Sequence, residues 1–221
     1  MDGKQKLSPD TFLKKFASKS SEEPEYPDVT TSQFSDALTK LTGKNGVLVN
    51  IKPIDDFKII GRATTVKTSS NDWGTVIKGI YSAKKGDVLV ISCEDDQTAV
   101  WGELASAAAQ IHGLSGTVVI GASRDSAGIK SLKYPVFSRN VVPNAGKPLT
   151  EGEINVNLTI EDTIIKPGDL IIGDECGVVS VDQEMVPEVM KAAMKIVSNE
   201  TEISSKLNQN ISFMEILGMN K

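Results

Sequence analysis

Two stretches carry residue types whose spacing permits chemistry: the pair Arg124-Asp125, and the run Gly102-Glu103-Leu104-Ala105. Arg supplies a planar cation that stays charged and grips oxyanions in a fixed geometry. Asp is a hard oxygen ligand suited to a divalent ion. The pair follows T-V-V-I-G-A-S at 117–123 and so falls where a buried strand ends. The earlier run opens an alanine-rich helix, and a helix start offers unpaired N–H groups to an anion. The two points lie about twenty residues apart, which in an α/β layer lets a helix start and a strand end face one crevice. Together they imply an acidic substrate held beside a divalent ion.

The elements around these residues read as an α/β body. The helix 102–112 closes at His112-Gly113, with Leu104, Ala105, Ala108 and Ile111 as its apolar stripe. Upstream, Thr30 to Leu41 has helical spacing, with Thr31 or Ser32 as cap and Asp36 on its body. Residues 57–68 form a strand with a bulge or close backbone approach at Gly61. Trp73 to Tyr81 is a short helix, and Lys84 to Asp87 a turn into the buried strand V-L-V-I-S-C. Glu94, Asp95 and Asp96 close that strand at its carboxyl end, where open sheets host sites, yet Asp also shapes loops, and both readings stand. Residues 126–131 allow one helical turn, Y-P-V-F-S a short strand and 140–152 a long loop. I-N-V-N-L-T-I alternates as one half-buried strand. The segment I-I-K-P-G-D-L-I-I-G-D-E-C-G-V-V-S-V reads as two strands around tight turns, in an antiparallel or mixed arrangement. The tail from Pro187 to Met219 is helical, with a break expected near Ser198-Asn199. The chain divides into an N-terminal helical arm and linker at 1–27, a body at 28–185 and a C-terminal helical tail at 186–221 packed on that body.

Composition narrows the functional classes. The hydrophobic fraction is 39%, the charged fraction 24% and the net charge −5, an ordinary globular balance with no basic footprint for nucleic acid or an anionic membrane. No run is apolar enough to span a bilayer and Met1 to Pro9 lacks the apolar core of a secretory signal, so a cytoplasmic location is expected. Cys93 and Cys176 lie far apart, outside any CxxC or Cys/His cluster, and read as reduced structural thiols. The single His112 ends a helix, where a cation suits the dipole. One histidine makes a Ser-His-Asp or Cys-His triad hard to build and excludes a His-rich metal site. No glycine-rich strand-loop-helix signature of a nucleotide-like cofactor is present.

The motifs T-T-S-Q-F-S-D-A-L at 30–38, G-R-A-T-T-V at 61–66, K-G-D-V-L-V at 85–90, W-G-E-L-A-S-A-A-A-Q-I-H-G-L-S-G-T-V-V-I-G-A-S-R-D at 101–125, P-V-F-S at 135–138 and K-P-G-D-L-I-I-G-D-E-C-G-V-V-S-V at 166–181 follow one another in order. Over roughly residues 28–185 the chain resembles the RraA-like family, which includes the 4-hydroxy-4-methyl-2-oxoglutarate aldolases, or class II pyruvate aldolases, and regulators of ribonuclease E activity. The resemblance implies a swivelling β/β/α fold assembled as a homotrimer or dimer of trimers, with the site in a cleft between subunits. It implies a divalent metal, Mg²⁺ with Mn²⁺ as the alternative, held largely through water by Asp125. Arg124 would reach the keto or enolate oxygen of a 2-keto acid, and the substrate carboxylate would rest on the helix start at Gly102, Glu103, Leu104 and Ala105. The implied activity is a lyase, either retro-aldol cleavage of a 4-hydroxy-2-oxoacid or oxaloacetate decarboxylation, both through the enolate of pyruvate. Two positions depart from the aldolase pattern: Gly128 stands where an acid is placed three residues after the Asp, and Ile120 where many relatives carry Asp. Glu103 offers a carboxylate at the same cleft, to orient a water of the metal or serve as acid/base. The alternative is a non-catalytic protein-binding regulator of RNA-processing machinery. That branch lacks an intact Arg-Asp pair, which this chain has.

Overall fold

The structure, a computed structural model, describes Ser8 and residues 29–219. The expected arm helix at 7–18 and its linker therefore lie outside the described residues, Ser8 apart. The described chain runs α1 (Thr31–Thr42), β1 (Lys52–Pro53), β2 (Ile59–Lys67), α2 (Gly74–Ser82), β3 (Val88–Ser92), β4 (Ala99–Trp101), α3 (Glu103–His112), β5 (Gly116–Ser123), α4 (Ser126–Leu132) and β6 (Val136–Val141). It continues through β7 (Glu153–Ile154), β8 (Leu158–Ile160), β9 (Thr163–Ile165), β10 (Leu170–Asp174), β11 (Gly177–Val181), α5 (Val186–Asn208) and α6 (Phe213–Ile216).

One mixed sheet, in the order β1-β6-β5-β3-β2-β10-β11, forms the body. Its centre, β2-β3-β5-β6, is parallel; β10 and β11 extend one side antiparallel, and β1 closes the other. The central strands are buried on both faces, which is why V-L-V-I and T-V-V-I are continuous apolar runs. Their residues alternate between two cores. Val66, Leu89, Ile91 and Val119 face α2, α3 and α4, through Val76, Ile80, Ala105, Ala109 and Ile129. Ala63, Val88, Val90, Val118 and Ile120 face the β8-β9 hairpin and Val178. A third core joins α1 and the first turns of α5 to β10 and β11, through Phe34, Leu38, Val189, Met190, Leu170 and Val179. The result is a mixed α/β body followed by C-terminal helices, the architecture expected from the sequence.

Several local expectations change once tertiary partners are present. Thr30, not Thr31 or Ser32, caps α1, in a reciprocal capping box with Gln33. Thr31 is taken instead by the buried Asp174: its N–H and hydroxyl donate to the two carboxylate oxygens at 2.8 and 2.6 Å. Gly61 marks a close approach and no bulge. The β2-β10 register runs unbroken through it, while a Cβ there would lie 2.5 Å from the Gly86 carbonyl. The 154–160 segment is two strands, not one, because Asn155 turns the chain with a φ of 58° between β7 and β8. The tail passes straight through Ser198-Asn199 in α5, since lone Ser and Asn residues cost a helix interior well under 1 kcal/mol. The helix stops instead at Gln209-Asn210, where Asn210 is left-handed.

α3 is rotated from its expected face. Leu104 and Ile111 are 84% and 88% exposed, and the buried face is Ala105, Ser106 and Ala109. Ser106 is tolerated there because it is fully satisfied: its hydroxyl accepts from Trp101 Nε1 at 2.8 Å and donates to the Gly102 carbonyl at 2.9 Å. Small side chains on that face let the helix lie close to the sheet.

Candidate functional site

The short β4 explains how the two reactive stretches meet. β4 runs parallel to β5, with Trp101 opposite Ser123, so both strands end at the same level. The Arg124 N–H donates to the Trp101 carbonyl at 2.9 Å and locks the strand ends together. One residue beyond β4 is Gly102, the extended cap of α3; one residue beyond β5 is Arg124. A rigid layer supports the junction from below: the buried Trp101 ring stacks on Tyr134 at 6.4 Å, and the Tyr134 hydroxyl pairs with Thr117 at 3.0 Å.

Asp125 adopts the left-handed conformation, φ 57°, at the start of α4. Its side chain makes no cap bond to α4 and turns to α3 instead. Oδ2 lies 3.3 Å from Arg124 Nε and accepts the Glu103 N–H at 3.4 Å. Both members of the ion pair keep 42% of their side chains exposed, so the carboxylate is open to solvent and to a ligand. Within α3 the first helical bond runs from Ser106 N–H to the Gly102 carbonyl. The preceding N–H groups of Leu104 and Ala105 have no carbonyl one turn back to pair with, and they point out of the helix start. The geometry thus offers a guanidinium, a carboxylate and a pair of amide donors at one opening.

Two glycines make this approach possible. A Cβ at Gly102 would lie 2.7 Å from Asp125 Oδ2 and 3.2 Å from Arg124 Cγ. A Cβ at Gly128 would collide with the Glu103 carboxylate and lie 2.8 Å from its Cγ. Asp125 covers the glycine beside Glu103, and Glu103 covers a glycine of the helix that Asp125 starts. Residue-type reasoning overlooks this pairing, because it joins residues of two helices with no local pattern between them.

The structure brings together Gly102, Glu103, Leu104, Ala105, Arg124 and Asp125. The Leu104 side chain points to solvent, so only its backbone belongs to the site. Other candidates serve the fold. Asp95 accepts from Ser70 and from the Gln97 N–H, both at 2.9 Å, and Asp96 accepts from Gln97 Nε2, so these acids shape the 93–98 loop. Asp36 sits exposed on α1. His112 Nε2 lies 3.1 Å from the Ala83 carbonyl and its ring meets Tyr81 edge-on, tying α3 to α2. Both cysteines are free. Burial, aided by Asp95, Glu94 and Asp72, pushes the Cys93 thiol up to about 12, which keeps it protonated and inert.

The chain belongs to the RraA-like family: the model described as Aldolase/RraA matches residues 31–180. It is 44% identical over 176 residues to an uncharacterized protein of Methanocaldococcus jannaschii, covering 78% of this chain and 85% of that one. It is 33% identical over 189 residues to a Halalkalibacterium halodurans protein provisionally named 4-hydroxy-4-methyl-2-oxoglutarate aldolase, covering 85% and 89%. Among solved structures, an uncharacterized protein from Pseudomonas syringae pv. tomato superposes with a TM-score of 0.76 at 26% identity, covering 96% of this chain and 98% of that chain. Among the described residues, no helix is long and apolar enough to cross a membrane.

Proposed function

We propose that this protein is a divalent-metal-dependent lyase that breaks a C–C bond of a small 2-keto acid through the enolate of pyruvate. Its substrates are a 4-hydroxy-2-oxoacid, oxaloacetate or both. The observation that carries the reading is the position of Asp125 Oδ2, beside Arg124 Nε and the first N–H of α3.

The residues fit a hydrated hard cation. Among the described residues no group of three or more His, Cys, Asp or Glu gathers to encage an ion. A solvent-open carboxylate such as Asp125 suits Mg²⁺, which keeps several waters and takes one or two carboxylates plus ligand oxygens; Mn²⁺ can substitute. When bound, the metal supplies Lewis-acid stabilisation of developing negative charge on a keto oxygen. The amides of Leu104 and Ala105, at the positive end of the α3 dipole, hold the substrate carboxylate. Arg124 donates to the keto oxygen and strengthens that bond as the enolate forms. In retro-aldol cleavage the 4-hydroxyl loses its proton, its oxygen becomes a carbonyl as the C3–C4 bond breaks, and the electron pair of that bond forms the enolate. In decarboxylation the same bond breaks and CO₂ departs. Protonation at C3 yields pyruvate in both cases. Glu103, across from Asp125, is placed to orient the water that carries these protons or to exchange them itself.

Assembly with further copies of the chain, as a trimer or dimer of trimers, belongs to the same reading and is supported by the exposed Leu104 and Ile111 of α3, the first of them at the site and the second two turns beyond it. The test is pyruvate formation from oxaloacetate and from a 4-hydroxy-2-oxoacid with added Mg²⁺. Activity is expected to need the metal, and Asp125→Ala is expected to lower it at least about 100-fold with little change in melting temperature. If the wild-type protein neither releases pyruvate nor exchanges the pyruvate methyl protons with deuterated solvent, the lyase reading is wrong. A regulator would then remain, and a stable partner captured from cell extract would identify it.

A further inference from the structure

We infer that the N-terminal arm of this chain docks on the apolar stripe that α5 and α6 leave uncovered, so that residues 7–18 close the C-terminal end of the molecule. Both segments lie outside residues 31–180, the span that the family model matches, and the docking is independent of the activity proposed above.

The stripe outruns its cover. α5 has 23 residues and α1, which packs along it, has 12. On α5, Val189, Ala193, Ile196, Ile203 and Leu207 recur along one face at helical spacing, with Glu200 on the same line. Val189 and Ala193 are fully buried, and Ile196 packs on the core they share with Phe34, Ala37 and Leu38 of α1. Beyond Glu200 no described residue is buried. Leu207 is 41% exposed, and α6, which packs on the end of α5, leaves Phe213, Met214 and Leu217 at least half exposed. Large apolar side chains gathered in this way mark a contact surface. Helix propensity points to the same need. The last turns of α5 read E-T-E-I-S-S-K-L-N, a run rich in weak helix formers, and such a run owes its helical state to packing of its apolar face.

The place where the chain enters α1 selects the occupant. Gln33, in the first turn of α1, donates from Nε2 to Glu200 Oε2 at 2.5 Å, so the residues before Val29 reach α5 where its cover ends. Upstream, Phe12, Leu13, Phe16 and Ala17 share one face at helical spacing, behind a Ser8-Pro9 start. The chain from Phe16 to Val29 can span about 40 Å, whereas α5 extends only about 12 Å beyond Glu200. A tether of that length holds the arm at roughly millimolar effective concentration, which favours it over any other chain. Charge is complementary as well. The arm carries Lys4, Lys6, Lys14 and Lys15 against Asp2 and Asp10, while the α5–α6 end carries Glu200, Glu202 and Glu215 against Lys206.

Hydrogen exchange of the full-length protein, read by mass spectrometry over residues 200–219, tests the docking. These amides are expected to be protected in the wild type, and Phe12→Asp with Phe16→Asp is expected to speed their exchange about 10-fold or more. Unchanged exchange of the sheet in the same experiment shows that the variant folds. The reverse pair, Leu207→Asp with Phe213→Asp, is expected to speed tryptic cleavage after Lys14 and Lys15 by a similar factor. Carbodiimide cross-linking then identifies which chain supplies the arm, in a sample refolded from equal amounts of light and ¹⁵N-labelled protein. Links from Lys14 or Lys15 to Glu202 or Glu215 are expected to join peptides of one isotope only. Links of mixed isotope composition assign the stripe to the arm of a second copy and overturn the inference. Residues 200–219 that are unprotected in the wild type, or that exchange no faster in the Phe12→Asp, Phe16→Asp variant, overturn it too.

Discussion

Gly102 lacks a side chain because Asp125 occupies the place where one would be. Alanine there would put its Cβ 2.7 Å from Asp125 Oδ2, against a backbone that the Trp101–Arg124 bond holds in place. The carboxylate, and not the chain, must move. Gly102→Ala is therefore expected to lower kcat/KM for oxaloacetate by roughly 100-fold, the usual effect of misplacing a reacting group by about 1 Å, with only a small loss of stability. A steady-state assay beside a thermal melt checks both halves. At this scale the sequence was informative about Arg124 and Asp125, because charge type and a strand end are local properties. It was silent about Glu103 lying over Gly128, because that contact joins residues of two helices whose packing no local pattern encodes.

Among the elements, the 142–152 loop is the one most dependent on a single side chain. It leaves β6 with the Val142 N–H donating to the Ser123 carbonyl of β5, runs beside β4 with the Gly146 N–H donating to the Ala99 carbonyl, and ends on Asp72. That buried carboxylate accepts from the N–H groups of Thr150, Glu151 and Thr75 and from the hydroxyls of Thr75 and Thr68. Burial raises its pKa, but the donors, Thr75, Glu151 and Thr68, outweigh burial and hold it at about 2. A folded value below the unfolded value of about 3.9 means that the ionised form stabilises the fold at neutral pH. The contribution, about 2 kcal/mol, is complete above the unfolded pKa and is lost as pH falls through about 4 towards 2. Asp72→Asn is expected to lower unfolding free energy by about 2 kcal/mol at pH 7 and to flatten the acid limb of the stability profile in that window. Urea titrations across pH measure both. α3 makes the related point about periodicity: its boundaries follow from Gly102 and Gly113, yet its buried face does not follow from hydrophobicity, because Ser106 finds two partners while Leu104 and Ile111 stay exposed among the described residues.

For the molecule as a whole, Leu104 and Ile111 form an apolar face on the same helix that opens the site. Large side chains exposed two turns apart on one face of α3 fit a subunit boundary better than a solvent surface. Replacing both with Asp is expected to convert the assembled protein to a monomer by light scattering while its circular dichroism stays unchanged. Loss of activity in that monomer would place part of the site on a neighbouring copy. A wild-type protein that runs as a monomer would remove the assembly reading.

The sequence by itself determined the features that depend on near neighbours. These are the apolar strands of the parallel centre, the turn and glycine punctuation that bounds α3, and the Arg-Asp pair at the end of β5. Motif order extended that reading to the family that the comparison then established. The tertiary structure alone decided which face of α3 is buried, that Thr31 serves Asp174 while Thr30 caps, that α5 continues through Ser198-Asn199, and that two helix starts exchange carboxylates over two glycines. The physical reason is common to all of them. Each turns on which distant group arrives to satisfy a polar atom or fill a space, and local patterns carry no record of that partner.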